Sequence, residues 1–411
     1  MTVRADKHAE NDTFPWVGLV VISLSIFASV TTEFLPTGLL PEMARELEVS
    51  PSQIGLLVTI FAGTVVVTAA PLAALTRRFS RKYLVIVVLL IVALGSVLTA
   101  IAPTYEVMIG ARVIGGLAHG LFWAVVGAYA AHLVPPHQLG RAVAITGAGG
   151  TAAFVLGVPL GTALGHLVGW RLAFVVVGAL LVLLSVLVLK FLPAVDHRVP
   201  VRTGEIPLPM HRDRTVPAVV ILCIVIIVIM TAQNIFYTYI APYLIEVTGF
   251  DEEAVPLILF LYGGAGAVGL ILAGIVIDRL PRAGMVGAFS IVVVAVSALA
   301  LFSGNQVVVI AAIVVWGTAF GAGPVMLQAR MLRSASVRLR DIASAFFTTS
   351  FNLAIGGGAL IGAVLLDAFG LGLLPVIDVA VMAVGVIFLI ASDAWLRRRD
   401  IAYLRERASA T

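Results

Sequence analysis

Polar residues are spaced so widely along this chain that the apolar stretches between them repeatedly reach the length of a membrane crossing. Twelve runs can be delimited, at 15–40, 52–75, 83–102, 106–133, 142–166, 172–192, 216–245, 255–277, 284–303, 306–327, 342–366 and 373–395. About 20 apolar residues in a helix cross the hydrocarbon core of a bilayer, whereas a barrel strand needs about ten, alternating in character. These runs do not alternate. The pattern predicts an all-α polytopic membrane protein with twelve transmembrane helices. The first run follows polar residues 1–13 and is long, which reads as a retained helix; a cleaved signal would carry a shorter apolar core and a small-residue cleavage site.

One polar interval exceeds the others. Residues 193–215, PAVDHRVPVRTGEIPLPMHRDRT, are rich in Pro and charge and divide the runs six and six. The expected organisation is a six-helix bundle over 1–192, a cytoplasmic linker over 193–215 and a second six-helix bundle over 216–411. A constant shift of 201 residues aligns the halves, carrying Pro41 onto Pro242, Arg78 onto Arg279 and Arg81 onto Arg282. The same shift pairs Gly116 with Gly317, Gly120 with Gly321, Gly157 with Gly358 and Gly161 with Gly362. An even number of spans in each half makes this a parallel repeat about an axis along the membrane normal.

Composition agrees with that reading and removes several others. The 411 residues are 61% hydrophobic and 12% charged, and soluble domains carry about twice that charge. Cys223, inside span seven, is the single cysteine, which leaves no disulfide framework and no thiolate metal cluster. A pI near 9.4 raises the question of nucleic acid. Of the 26 Lys and Arg, however, all but Arg45, Arg112 and Arg171 fall on one side when the loops are placed on alternate sides. That asymmetry is the positive-inside pattern; it predicts that both termini are cytoplasmic and gives no sign of a nucleic-acid partner. The opposite loops are acidic, as in Asp251-Glu252-Glu253.

Ionisable groups inside the spans are the candidate chemistry, because a charge at the bilayer centre costs at least about 2.5–3.5 kcal/mol. Glu33 lies in ASVTTEFLPTGLLP, residues 28–41, with the helix expected to continue to Pro41 and to hold Glu33 about two turns inside. The competing reading is a carboxylate that snorkels from a helix end. In span four, Arg112, Gly116, His119 and Trp123 fall within about 60° of one another on a helical projection, so this face points at protein or a watery cavity. Arg112 reads equally as a clamp on backbone carbonyls, and His119 as a packing histidine. Under the repeat, Glu33 falls on Asn234, Arg112 on Ile313 and His119 on Phe320, so the ionisable chemistry is expected in the first half alone.

Candidate substrate contacts are Phe34, Thr37, Phe122 and Trp123 in the first half and Asn234, Tyr237 and Asn352 in the second, with Thr348 and Thr349 beside Asn352. Indole and phenol rings give stacking area and one hydrogen bond each, which suits an amphipathic organic molecule. Packing is the competing role for each. The glycines at 115, 116 and 120 and at 157, 161 and 165 permit close helix approach, and Pro159 can kink span five.

Lys7, Lys82 and Lys190 are the only lysines, and none lies in a phosphate-binding loop; H-E-x-x-H and G-x-S-x-G are also absent. No enzyme activity and no cofactor are implied, which leaves an ion gradient as the energy source. One glutamate beside a histidine suits a proton better than a sodium ion, which favours several converging oxygens. A proton falling through 100 mV releases about 2.3 kcal/mol, enough for roughly a fifty-fold gradient of a neutral solute.

Four segments resemble the major facilitator superfamily, and within it the twelve-helix drug:proton antiporter group: TEFLPTGLLP at the end of span one, RVIGGLAHGLFWA in span four, LGVPLGTALG with Trp170-Arg171 in and after span five, and YTYIAPYLIEVTGF in span seven. The span-four segment resembles most closely the bacterial sugar-efflux and chloramphenicol-resistance branch. The loop between spans two and three departs from the family pattern, with Arg77 in place of its aspartate and Ser80 in place of its second glycine. The second-half copy keeps Gly274, Asp278, Arg279 and Arg282 and has Pro281 at its second glycine. The resemblance implies a proton-coupled exporter of sugars, their analogues or amphenicol-type drugs, functional as a monomer in a bacterial cytoplasmic membrane. Glu33, His119 and Arg112 would serve proton coupling, and Arg78, Arg81, Gly157, Pro159, Gly161, Asp278 and Arg279 conformational switching. An importer, a non-transporting receptor and an intramembrane enzyme remain as alternatives.

Overall fold

The computed structural model describes residues 14–76, 78–134, 138–193, 213–279, 281–336 and 339–409, and the regular structure among them is entirely helical. The first half contains α1 (Trp16–Gly38), α2 (Leu40–Glu46), α3 (Pro51–Leu75), α4 (Arg81–Ile101) and α5 (Tyr105–His132). It continues through α6 (Leu139–Ala152), α7 (Val158–Val168) and α8 (Trp170–Phe191). The second half contains α9 (Val216–Tyr237), α10 (Ile240–Glu246), α11 (Val255–Arg279) and α12 (Pro281–Leu301). It ends with α13 (Gln306–Gly321), α14 (Gly323–Ser334), α15 (Arg340–Phe369) and α16 (Leu374–Ser409). Together they supply twelve segments long and apolar enough to cross a membrane. The expected linker lies almost wholly outside the described residues, as does Arg77.

Breaks within spans one, five, seven and ten depart from the simple pattern, and proline accounts for them. Span one stops at Gly38, and Leu39 has φ −108 and ψ 12 before α2 begins. Pro41 has no N–H to continue the helical ladder. Glu33 therefore sits five residues from the end of α1, with α2 beyond it. Span seven breaks at the same place in the repeat, ahead of Pro242. In span five, Pro159 cannot donate a helical hydrogen bond, and residues Ala153–Gly157 widen into a π turn just before it. Span ten divides at Ala322, ahead of Pro324.

The repeat reappears as matched close approaches. A Cβ on Gly116 would lie 2.8 Å from the Phe61 carbonyl oxygen, and one on Gly317 2.4 Å from that of Tyr262. Likewise Gly120 faces the Val65 carbonyl and Gly321 that of Gly266. Spans two and four, and eight and ten, thus meet backbone to backbone through equivalent residues. Such contact supplies the dispersion energy that associates helices in lipid, where no hydrophobic driving force acts between them. Gly157 and Gly161 face Thr31 and Leu35 of α1, and Gly358 and Gly362 face Asn234 and Ile235 of α9. These glycines give the close helix approach expected of them, at seams within each half.

Other residues join the halves. Thr59 Oγ1 donates to the Gly356 carbonyl at 2.9 Å, Gly55 lies against the Tyr239 ring, and Gly263 against the backbone of Phe154 and Val155. Arg45 and Glu252 form an ion pair at 2.7 Å in the loops beyond. Among the described residues these contacts run from mid-span to the face opposite the basic loops. The halves are closed on that face.

Candidate functional site

His119 lies at the centre of the buried polar cluster of the first half and is fully buried, with Glu33 4% exposed. Its Nε2 is 3.2 Å from Glu33 Oε2 and 2.8 Å from Trp123 Nε1, which donates to it. Its Nδ1 is 2.8 Å from Ser29 Oγ. Ser29 and Glu33 are one helical turn apart on α1, as are His119 and Trp123 on α5, so two turns of helix meet at one imidazole. Phe61 of α3 covers the ring, with centroids 5.2 Å apart. Glu33 Oε1 is buried without a partner. A carboxyl and an imidazole in van der Waals reach, shielded from water, can pass a proton between them.

Arg112 occupies the same helix face two turns away but does not contact the Glu33 carboxyl. Its guanidinium donates to the backbone carbonyls of Thr32 at 3.0 Å and Glu33 at 3.4 Å. The rings of Phe61 and Phe174 lie 5.3 and 5.7 Å from the guanidinium carbon. This is the carbonyl clamp anticipated as its competing role. Pro36, one turn on, has no N–H to offer the Thr32 carbonyl, so that oxygen is free for Arg112. Arg112 thereby fixes the stretch of α1 that carries Glu33.

The expected substrate residues are brought together only in part. Phe34 meets Phe154 at a tilt with ring centroids 4.8 Å apart, and Phe154 reaches Tyr237 at 6.4 Å across the two halves. Phe122 is buried beside His119, and Trp123 is partly exposed. Thr37 is buried with its hydroxyl unpartnered. Asn234 and Asn352 turn their amides onto carbonyls of their own helices, Met230 and Thr348. Of the expected switch residues, Pro159 follows the π turn, Arg81 opens α4 and Arg78 lies over Phe79. The side chains of Asp278 and Arg279 lie outside the described residues.

The structure adds residues that the sequence pattern did not single out. Ser29 and Phe154 are ordinary span residues until the fold places them. In the second half Gln233 accepts from Trp316 Nε1 and donates to the Tyr262 hydroxyl, both at 2.9 Å. Asp378 of α16 is fully buried with both carboxyl oxygens unpartnered, and lies within electrostatic reach of Tyr262. The expectation that ionisable chemistry belongs to the first half alone is therefore corrected. Its signal was present: LPVIDVAV, residues 374–381, places an acid inside an apolar run.

Comparison with known proteins places this geometry in a family. The model described as Major Facilitator Superfamily matches residues 22–355 and 221–409. A probable sugar efflux transporter of Helicobacter pylori (strain ATCC 700392 / 26695) is 30% identical over 359 residues, covering 87% of this chain and 90% of the relative. One from Mannheimia succiniciproducens is 28% identical over 372 residues, covering 90% and 92%. Among solved structures, a D-xylose-proton symporter shares the fold at TM-score 0.74 and 16% identity, covering 92% of this chain and 97% of the symporter. A bacterial homologue of the lysosomal transporter Spinster, inward-facing and occupied, gives 0.71 at 17%, covering 95% and 98%. Twelve apolar helices, a duplicated half and family matches along nearly the whole length lead to one conclusion: the chain is a multi-pass membrane transporter that belongs to the major facilitator superfamily.

Proposed function

We propose that this transporter exports sugars in exchange for protons, with Glu33 as the proton-carrying carboxyl and His119 as its relay. The observation that supports this most directly is the buried contact of 3.2 Å between Glu33 Oε2 and His119 Nε2. A charge on this buried pair is costly unless water or a cation offsets it, and Arg112, within electrostatic reach of Glu33, is such a cation. The sugar-efflux naming of relatives at 28–30% identity favours sugars as substrate and export as direction. Amphenicol-type drugs stand second, since none of those names mentions a drug. One chain contains the whole site, which favours a functional monomer. The setting is the cytoplasmic membrane of a bacterium, with the basic face inside by the positive-inside pattern.

Reconstituted into liposomes, the wild type builds a gradient of a tested mono- or disaccharide from an imposed pH difference, and Glu33→Gln exchanges sugar but builds none. Uphill transport by Glu33→Gln would make Glu33 a structural carboxyl. The D-xylose-proton symporter among the structural neighbours keeps proton-coupled import as the second reading. The sign of proton movement during sugar efflux separates the two, and absence of sugar-dependent proton movement would favour a receptor.

A further inference from the structure

One atom, His119 Nε2, has two neighbours that cannot both be satisfied. Trp123 Nε1 stands 2.8 Å away in hydrogen-bonding geometry and Glu33 Oε2 stands 3.2 Å away. An indole N–H only donates, so Nε2 presents its lone pair to Trp123, and the proton of the neutral ring is on Nδ1, donated to Ser29 Oγ. Glu33 Oε2, 3.2 Å away, is the group through which a proton can reach Nε2. When Glu33 takes up a proton and passes it to Nε2, one O–H bond breaks and one N–H bond forms, leaving imidazolium beside carboxylate. Nε2 then donates to Glu33. Trp123, facing an N–H with its own N–H, loses its acceptor.

Trp123 is less buried than the residues it packs against. His119 and Phe122 are fully buried, whereas the Trp123 ring is partly exposed with its N–H committed inward. What Trp123 offers outward is therefore its ring surface, held at a fixed angle by the imidazole and by an edge contact with Phe122 at 6.2 Å. An aromatic face of this kind stacks on the C–H-rich face of a pyranose.

We propose that Trp123 is the residue through which proton occupancy controls sugar binding: it is docked on His119 while Nε2 is unprotonated and released when a proton arrives there, so that the proton dismantles the face on which the sugar rests. Proton and sugar then exclude one another, which is what an exchanger requires. This rests on the proton-coupled reading above and adds the device that links the two ligands. Among the described residues the ionisable side chain in contact with His119 is Glu33, and Arg112 lies within electrostatic reach of Glu33. Glu33 is the group that α1 presents to His119, and α3 contains no ionisable residue. On α4, Arg81, Lys82 and Tyr83 occupy the first turn, and Arg141 of α6 lies against Phe14 and Trp16 at the basic end. Arg112, on the same helix as His119, is engaged with backbone carbonyls.

The test uses the full-length protein in lipid nanodiscs, labelled with 5-fluorotryptophan at its five tryptophans. The 19F resonance missing from Trp123→Phe identifies Trp123. Without any sugar, that resonance is expected to shift as the pH is lowered, and to stay fixed in His119→Gln, whose amide oxygen accepts from the indole throughout. Wild-type affinity for mono- and disaccharides is expected to fall by up to about tenfold over the same lowering of pH, the worth of one hydrogen bond, and by less than about twofold in Trp123→Phe, whatever its absolute affinity. A Trp123 resonance that does not move, or a Trp123→Phe variant with the wild-type pH slope, overturns the proposal. A static resonance alongside failed uphill transport by Glu33→Gln sinks the Trp123 device alone. A moving resonance alongside intact uphill transport by Glu33→Gln sinks the Glu33 assignment alone.

Discussion

Asp378 shows at the scale of one residue how burial dictates chemical form. Among the described residues no hydrogen-bond donor and no cation lies against either oxygen, so a charge there would cost several kcal/mol and the group is stable as the neutral acid. Asp378→Asn exchanges one neutral group for another of nearly the same shape. The expected outcome is an unfolding free energy within about 1 kcal/mol of wild type, measured by thermal unfolding in detergent. A loss above about 3 kcal/mol would mean that Asp378 is ionised and paired in the working protein. Arg112 makes the converse point: its charge is compensated by carbonyls and ring faces, an arrangement that the sequence allowed but could not choose over a carboxylate pair.

At the scale of elements, the glycines separate by what they face. A Cβ on Gly161 would stand 2.6 Å from the Leu35 Cδ1, the far end of a flexible side chain that can move. A Cβ on Gly321 would stand 2.2 Å from the Gly266 carbonyl oxygen, which is backbone and cannot. Gly321→Ala is therefore expected to cost about 1–3 kcal/mol of stability and to exceed the cost of Gly161→Ala, in paired melting curves. Equal costs would mean that spans eight and ten can separate as readily as α7 can repack. The sequence displayed all these glycines at small-residue spacing; which helix each one faces is a tertiary fact.

The whole molecule is closed on the face opposite its basic loops, with Arg45 and Glu252 bridging the halves there. That exposed pair adds on the order of 0–1 kcal/mol, so the apolar and backbone contacts beneath it carry most of the closure. If the basic face is cytoplasmic, a cysteine placed at Asp251 is labelled by an impermeant maleimide in intact cells. A requirement for permeabilisation would invert the assigned orientation.

Twelve spans and the repeat were legible because each depends on the length and spacing of apolar runs, which a bilayer reads almost without reference to tertiary contacts. Glu33, Arg112, His119 and Trp123 were also visible, since ionisable groups in apolar runs stand out and helical spacing puts three of them on one face. Proline positions implied breaks, though not that span one would halt at Gly38 or span five widen at Ala153–Gly157. What only the tertiary structure decided was partnership: that Ser29 and Trp123 hold the two nitrogens of His119, that Arg112 grips the backbone of α1, that Phe154 joins the halves, and that Asp378 stands unpartnered. Periodicity fixes which face of a helix a residue occupies. The atoms that face meets depend on how distant helices cross, and no local pattern in the chain encodes that.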